Sequence, residues 1–458
     1  MLKLILSKLK FMRAGCLIPL LVLAAFVAAP PAHAAIDGIS GQTEFFFTAR
    51  ADYLSTADGG SHLFWGYGDD QDHAGNGGRA QYPGPVIIVN EGDTVTIHLR
   101  NRLAEPTSIV FPGQEGVAAF GGQPGLLTRE ALPGGTSEVT YTFVANEPGT
   151  YLYHTGTHMD LQVEMGLVGV IIVRPAMGAN YAYNSADTRF DREYLFFLSE
   201  MDPVFHEYVE FGMAAQIDNS RYWPVYWMLN GRTAPDIMSE AFVEWLPTQP
   251  YNSVPRMHPG EKLLMRVVGA GRDSHPFHHH GNHANIIARD GRLLSSDGLA
   301  PDLATGVFTI QSVPGETVDA IFEWTGEGLN WDIYGTPADG QPAHDCDDTV
   351  NNVTGDPGPD GYADPTATYP WEYCADHGKP FPVTLPDKKD LFFGGWYGGS
   401  PFLGVLGSLP PGEGGLNPYG GFSFMWHSHT EKELTNFDIF PGGLMTMLII
   451  ESWAVAIP

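Results

Sequence analysis

Five histidines crowd into nine residues at His275-Pro276-Phe277-His278-His279-His280-Gly281-Asn282-His283. Neutral imidazole is the commonest metal-ligand side chain and suits copper, zinc, iron and nickel. His278 and His280 stand two apart, so on a strand both leave one face while His279 leaves the other. Gly281 directly after them admits the close approach of another backbone. The same spacing recurs at His427-Ser428-His429. That recurrence favours a shared metal site over the plainer reading, a polar loop whose histidines are satisfied by hydrogen bonds. A third group, His154-Thr155-Gly156-Thr157-His158, offers two more imidazoles at a wider interval.

Such side chains need strands to aim them. The chain has 458 residues, enough for two or three domains with a large core. Its 55 Gly, 36 Pro and only 17% charged residues separate short Val/Ile/Thr/Tyr/Phe runs by turns, which is the pattern of an all-β fold. Two β runs flank the turn Glu91-Gly92-Asp93, residues 137–144 alternate polar and apolar like a half-buried strand, and residues 167–173 read as a buried one. Residues 335–420 are rich in Gly, Pro and Asp and lack periodicity, so they read as an irregular insertion. Its acidic residues Asp345, Asp347, Asp348, Asp356 and Asp360 fit no EF-hand spacing and are expected in solvated turns.

The N-terminus reads as a cleaved export signal at residues 1–34. Lys3, Lys8, Lys10 and Arg13 precede a short apolar run, and Ala32-His33-Ala34 is a small-x-small cleavage site before Ala35. The run is short for a membrane span, and no later segment is apolar enough to be one. Net charge is −29, or −33 once the four basic residues of the leader are removed, which argues against nucleic acid and anionic membranes as partners. Export implies the periplasm or the exterior, where Cys346 and Cys374 are expected to pair. The rival is a zinc clip, since His344-Asp345-Cys346 and Cys374-Ala375-Asp376-His377 each bring a histidine beside a cysteine.

Four stretches resemble the multicopper oxidase family. Tyr82-Pro83-Gly84-Pro85 ahead of the strand–turn–strand is similar to the opening of a cupredoxin domain, and Pro148-Gly149-Thr150-Tyr151-Leu152-Tyr153-His154 with Met165-Gly166-Leu167 is similar to its ending. The histidine cluster at 275–283 and the closing residues 424–450 resemble a later domain of that family, whose opening is matched by Trp227-Met228-Leu229-Asn230-Gly231-Arg232 and Pro259-Gly260-Glu261. The resemblance implies tandem cupredoxin-like Greek-key β-sandwich domains at 35–180 and 190–458, the second carrying the insertion at about 335–420. It also implies copper. In this family a type 1 copper oxidises substrate and passes electrons through a Cys-His link to a three-copper cluster, held by four His-x-His pairs, where dioxygen is reduced.

Laid on this sequence, the third pair is His278 and His280 and the fourth is His427 and His429. The second keeps His154, has Gly156 at its partner position, and finds His158 two residues later. The first is absent, because Val110-Phe111-Pro112-Gly113 follows Pro106-Thr107-Ser108-Ile109. At the type 1 site His275 matches the first histidine, Ser428 stands at the cysteine and Glu433 at the second histidine. Met445 fits the axial methionine only across the inserted residues 435–442. A hydroxyl cannot supply the thiolate of blue copper.

The expectation is an exported multicopper-oxidase-like, copper-dependent oxidoreductase with a histidine-rich site and no blue-copper relay. Metal ligands would come from His278, His280, His427, His429, His154, His158, His275 and Glu433. Copper is favoured by the Irving–Williams order, with zinc, iron or manganese as alternatives. A small-molecule or metal-ion substrate would meet the metal directly, with Glu433 or Asp160 as candidate proton carriers. A non-catalytic copper-binding or copper-buffering protein and a structural β-sandwich stay open. Two-domain members of the family tend to be trimers, so the resemblance also implies a homotrimer. His62, His73, His98, His206 and His258 are expected to be ordinary surface or loop histidines.

Overall fold

The structure, a computed structural model, describes residues 36–70, 78–382, 400–404 and 421–457. The leader, His73 and parts of the insertion lie outside the described residues. The described residues contain only two α-helices, the single-turn Met159–Gln162 and Pro203–Glu210, among many strands. No helix among them is long and apolar enough to cross a membrane.

Two pairs of sheets form two sandwiches. The first pairs a five-stranded sheet, ordered Ser61–Asp69, Glu44–Ser55, Thr94–Asn101, Glu138–Val144, Ala118–Gly121, with a three-stranded one, ordered Ile87–Asn90, Val168–Arg174, Gly149–His154. The alternation read at 137–144 is kept: Val139, Tyr141 and Phe143 turn inward. They meet Phe45, Phe47, Ile97, Leu99, Tyr151, Tyr153, Ile171 and Val173 in one core. Glu91-Gly92-Asp93 does not close a hairpin. Its flanking strands belong to opposite sheets, so the turn carries the chain across the sandwich, and Gly92 takes φ +86° to make that corner.

The second sandwich is larger. One sheet contains Tyr226–Leu229, Arg192–Met201, Lys262–Gly269, Thr317–Glu323, Ala284–Arg289 and Arg292–Leu293; the other runs Arg256–Met257, Met445–Ile450, Phe422–Ser428, His275–His279, Thr309–Ser312. Phe196, Met265, Val267, Phe277, Ala320, Phe322, Trp426 and Leu448 fill the space between them. The two sandwiches share a third apolar layer. Leu152, Val168, Val170 and Ile172, on the outer face of the three-stranded sheet, pack with Leu195, Phe197, Met228 and Val268. The insertion is irregular where it is described: residues 335–382 contain two short 3-10 turns and no strand. Its acidic residues tie the loop together, as Asp348 accepts from the backbone N–H of Asp360 and Gly361, both at 2.9 Å. Cys346 and Cys374 are joined in a disulfide. The zinc clip through these cysteines is thereby overturned, because neither sulfur is left as a thiolate.

Candidate metal centre

The alternation of one strand creates the site. In His275–His279 the side chains of His275, Phe277 and His279 are buried, while Pro276 and His278 turn to the other, more open face. The neighbouring strand Phe422–Ser428 runs antiparallel, placing Phe277 opposite Ser428, His278 opposite His427 and His279 opposite Trp426. Phe277 and Trp426 anchor both strands in the core through Phe196. The register therefore brings the third and fourth histidine pairs together on one face. Ring centroids of His278 lie 4.8 Å from His280, 5.4 Å from His427 and 4.9 Å from His429. His427 and His429 are 5.4 Å apart, and the Nε2 atoms of His280 and His427 approach to 3.3 Å. One nitrogen each from His278, His280 and His427 can meet on a single ion.

Two of these rings are aimed from behind. Nδ1 of His278 lies 2.7 Å from the carbonyl of Phe308 and 3.0 Å from Thr309 Oγ1, and Nδ1 of His427 lies 2.7 Å from the carbonyl of Ser428. Donation from Nδ1–H to a carbonyl fixes the tautomer that turns an Nε2 lone pair to a metal. Burial lowers the basicity of His278, and burial together with the neighbouring imidazoles brings His280 and His427 down to about 4. The rings are thus neutral, and available as ligands, at neutral pH. Copper is the metal the family implies, and this set of uncharged nitrogen donors with oriented rings fits it. The side is open: the His429 side chain is 53% exposed, and exposed Phe308 sits edge-on to His278.

His279 faces the core and accepts from the N–H of Ala284 at 3.0 Å. Gly281 takes φ +104° against the rings of Phe424 and Phe322, so the close neighbour is aromatic rather than another backbone. His283 stacks edge-on to Phe308 at 5.6 Å.

The type 1 position departs from the expected ligand set. His275 is fully buried and spans two carboxylates, with Nδ1 at 2.9 Å from Glu433 Oε2 and Nε2 at 3.0 Å from Glu200 Oε2. Burial alone would lower its pKa, but the hydrogen bonds and charges of Glu200 and Glu433 outweigh that and lift it to about 9. Where His275 and Glu433 were expected to ligate, both ring nitrogens of His275 thus face carboxylates, Glu433 on one side and Glu200 on the other. Ser428 Oγ accepts from the N–H of Thr430 at 3.1 Å, and Met445 is packed with Met425 and Met447. Sequence reading missed Glu200. A carboxylate inside the apolar run Leu195-Phe196-Phe197-Leu198-Ser199-Glu200-Met201 was the available signal, since a buried charge needs a partner. Glu200 also accepts from Asp273 N–H at 3.0 Å and Tyr222 O–H at 3.1 Å. Beside it, burial and the charge of Glu200 push Glu164 up to about 8.

The first sandwich does not bring its histidines to this set. His154 and His158 join neither of the two groups of ligand atoms found among the described residues. His154 Nδ1 sits 2.7 Å from the carbonyl of Thr155, an arrangement like that of His427, and its strand is bridged by Val110. Phe111, at the missing first pair, is core. A side chain at Gly156 would meet Val110 Cγ1 at 2.6 Å, so the half-lost second pair has no room for its partner. His158 faces Glu105 and Asp160 on the surface, and Asp160 bonds Asn219. Of the proton-carrier candidates, Glu433 bonds His275, and Asp160 lies beside His158. Of the histidines expected at the surface or in loops, His206 is buried on a helix and His258, in a loop, is buried as well. His206 is driven down to about 4 by burial, with Nδ1 at 2.5 Å from the carbonyl of Leu63, and His258 stacks on Trp453.

A family profile described as multicopper oxidase matches residues 69–178. Copper resistance protein A from Escherichia coli is 27% identical over 281 residues, covering 55% of this chain and 43% of that protein. Its namesake from Pseudomonas syringae pv. tomato is also 27% identical, over 55% of this chain and 42% of its own. The chain thus spans less than half the length of these relatives. Among solved structures, the blue copper oxidase from Nitrosomonas europaea superposes with a TM-score of 0.51 at 18% identity, over 89% of this chain and 85% of that one, a likeness of fold. By the matching profile at residues 69–178, the related sequences and the paired cupredoxin-like sandwiches, this chain is similar to the multicopper oxidases.

Proposed function

We propose that this protein is an exported copper-dependent oxidoreductase that holds copper between the His278/His280 and His427/His429 pairs and takes electrons from a small-molecule or metal-ion substrate without a type 1 relay. The observation carrying the reading is the register that sets His278 opposite His427, while the Glu200–His275–Glu433 bridge occupies the relay position. Bound copper would supply one-electron transfer. The chain's own residues do the rest. The carbonyls of Phe308 and Ser428 orient the rings, and burial keeps them neutral. The exposed His429 and Phe308 leave one side open to substrate. Export rests on the basic and apolar leader with its small-x-small site. The related proteins are named for copper resistance, which favours a substrate connected with copper itself.

The test is dioxygen consumption by the copper-loaded protein with cuprous ion and with a phenolic reductant. Turnover that disappears in His427→Ala supports the proposal. Tight copper retention without turnover contradicts it and supports non-catalytic copper buffering, the reading favoured by the missing thiolate at Ser428. No copper retention leaves a structural β-sandwich. A homotrimer, which only the family resemblance suggests, would give three times the chain mass in light scattering.

A further inference from the structure

A second cluster lies on the insertion, away from the imidazole quartet. We propose that Asp332, His344, Glu372 and His377 bind a zinc ion, which with the disulfide pins the insertion to the second sandwich. This inference does not rest on the function proposed above. One ligand atom from each residue lies within 4.8 Å of the other three. His344 Nε2 is 3.4 Å from Asp332 Oδ2 and 3.3 Å from Glu372 Oε2, and His377 Nδ1 is 3.6 Å from Asp332 Oδ2. Nitrogen and oxygen donors about 2.0–2.2 Å from a tetrahedral zinc lie about 3.3–3.6 Å apart. Three contacts thus have the length of coordination edges. The fourth, His377 Nδ1 to Glu372 Oε1, is 2.8 Å.

Burial makes the cluster hard to explain otherwise. The side chains of Asp332 and Glu372 are each 1% exposed and that of His344 is 4% exposed. His344 Nε2 and Glu372 Oε2 are buried and lack a hydrogen bond. His344 Nδ1 faces the carbonyl of Pro342 at 3.4 Å, the arrangement that leaves Nε2 as a lone pair directed at two carboxylates. Unlike His275, whose ring nitrogens hydrogen-bond their carboxylates, His344 Nε2 makes no hydrogen bond to either one, so lone pair and carboxylates repel one another unless a cation stands between them. Lys379 does not serve, because its Nζ pairs with Asp376 at 2.6 Å. A divalent ion neutralises both carboxylates and satisfies both orphaned atoms. Two imidazoles and two carboxylates, with no fifth donor grouped with them among the described residues, match a closed, four-coordinate structural site.

Position in the chain gives the ion its role. Asp332 is continuous with Ile333 and Tyr334 in the second core, and its carboxylate is held by the N–H groups of Tyr334 and Gly378, each at 3.0 Å. His344, Glu372 and His377 flank the bridged Cys346 and Cys374. Tyr369 covers the His344 ring at 4.3 Å, while the His377 side chain, 33% exposed, leaves an entry path.

The test uses the full mature chain carrying H278A and H427A, so that the imidazole quartet cannot compete. After chelator treatment, zinc alone is added. One equivalent of zinc should bind and raise Tm by several degrees, and X-ray absorption should report a nitrogen/oxygen shell containing imidazole and no sulfur. Adding H344Q and H377Q should abolish both binding and the Tm shift. Failure of the H278A/H427A protein to bind zinc overturns the proposal, whatever the folding of the quadruple variant. So does a zinc shell without imidazole, or undiminished binding after H344Q and H377Q.

Discussion

At the scale of residues, the two histidine pairs and His275 differ by what their nitrogens meet. His278 and His427 face carbonyls through Nδ1, whereas His275 meets a carboxylate on each side. His278→Ala and His427→Ala are each expected to lose most bound copper in elemental analysis, while His98→Ala, which removes a ring bonded to Glu44 and Glu138 in the first sandwich, should retain it. Thr309→Val, removing an orienting partner of His278, should weaken copper affinity about 10–100-fold in a competition titration. The bridge at His275 carries a pH signature. Its folded pKa of about 9 lies above the unfolded value of about 6.5, so its stabilisation is complete below pH 6.5 and is lost as pH rises through 9. That loss is on the order of 3 kcal/mol. Denaturant melts from pH 6.5 to 9.5 should show it, and Glu433→Gln should diminish it. Ser428→Cys alone should give no strong thiolate–copper band, because the bridge still engages both nitrogens of His275.

At the scale of elements, the period-two pattern was legible. Alternation at 137–144 and the two His-x-His pairs were enough to place strands, and the His278 and His280 rings do meet, at 4.8 Å, although the strand ends at His279. Pairing was not legible, because which strand lies beside which depends on contacts between distant segments. That Thr309–Ser312 and Phe422–Ser428 flank His275–His279, and so supply the carbonyl of Phe308 and His427, appears only in the fold. For the same reason Glu200 and Asp332, single carboxylates in apolar stretches, could not be matched to His275 and His344 from sequence. The cysteines were legible as a pair, and their bridge supports an insertion without strands among its described residues. Replacing both with serine should cost about 3 kcal/mol by the chain-entropy estimate for a loop of about 29 residues. Thiol labelling of the denatured, unreduced protein should find neither cysteine free.

At the scale of the whole molecule, the sandwiches are joined by an apolar layer and by a buried polar one. Arg174 Nη2 donates to Glu193 Oε2 at 2.6 Å, Arg266 Nε donates to Glu193 Oε1 at 2.6 Å, and Thr150 Oγ1 donates to Asp319 Oδ1 at 2.6 Å. Burial would raise the pKa of Glu193, but Arg266 and Arg174 bring it down to about 2. Glu193→Ala would leave two arginines without their shared carboxylate, and is expected to destabilise the protein by about 3–5 kcal/mol in denaturant unfolding. This junction joins residues distant in sequence, so its pairing is not legible there. In the first sandwich, by contrast, Phe111 lies in the core and Gly156 is hemmed in by Val110, at positions where the resemblance would place histidines. Both groups of clustered ligand atoms among the described residues thus lie in the second sandwich and its insertion.

The most direct test is the visible and electron paramagnetic resonance spectrum of the purified, copper-loaded protein, with copper quantified per chain. Bound copper with a weak absorption band and the signature of nitrogen-ligated copper(II), lost in His278→Ala, is the expected result. An intense thiolate-to-copper band in the wild-type protein, or full copper retention in both His278→Ala and His427→Ala, would contradict a copper site built from these two histidine pairs.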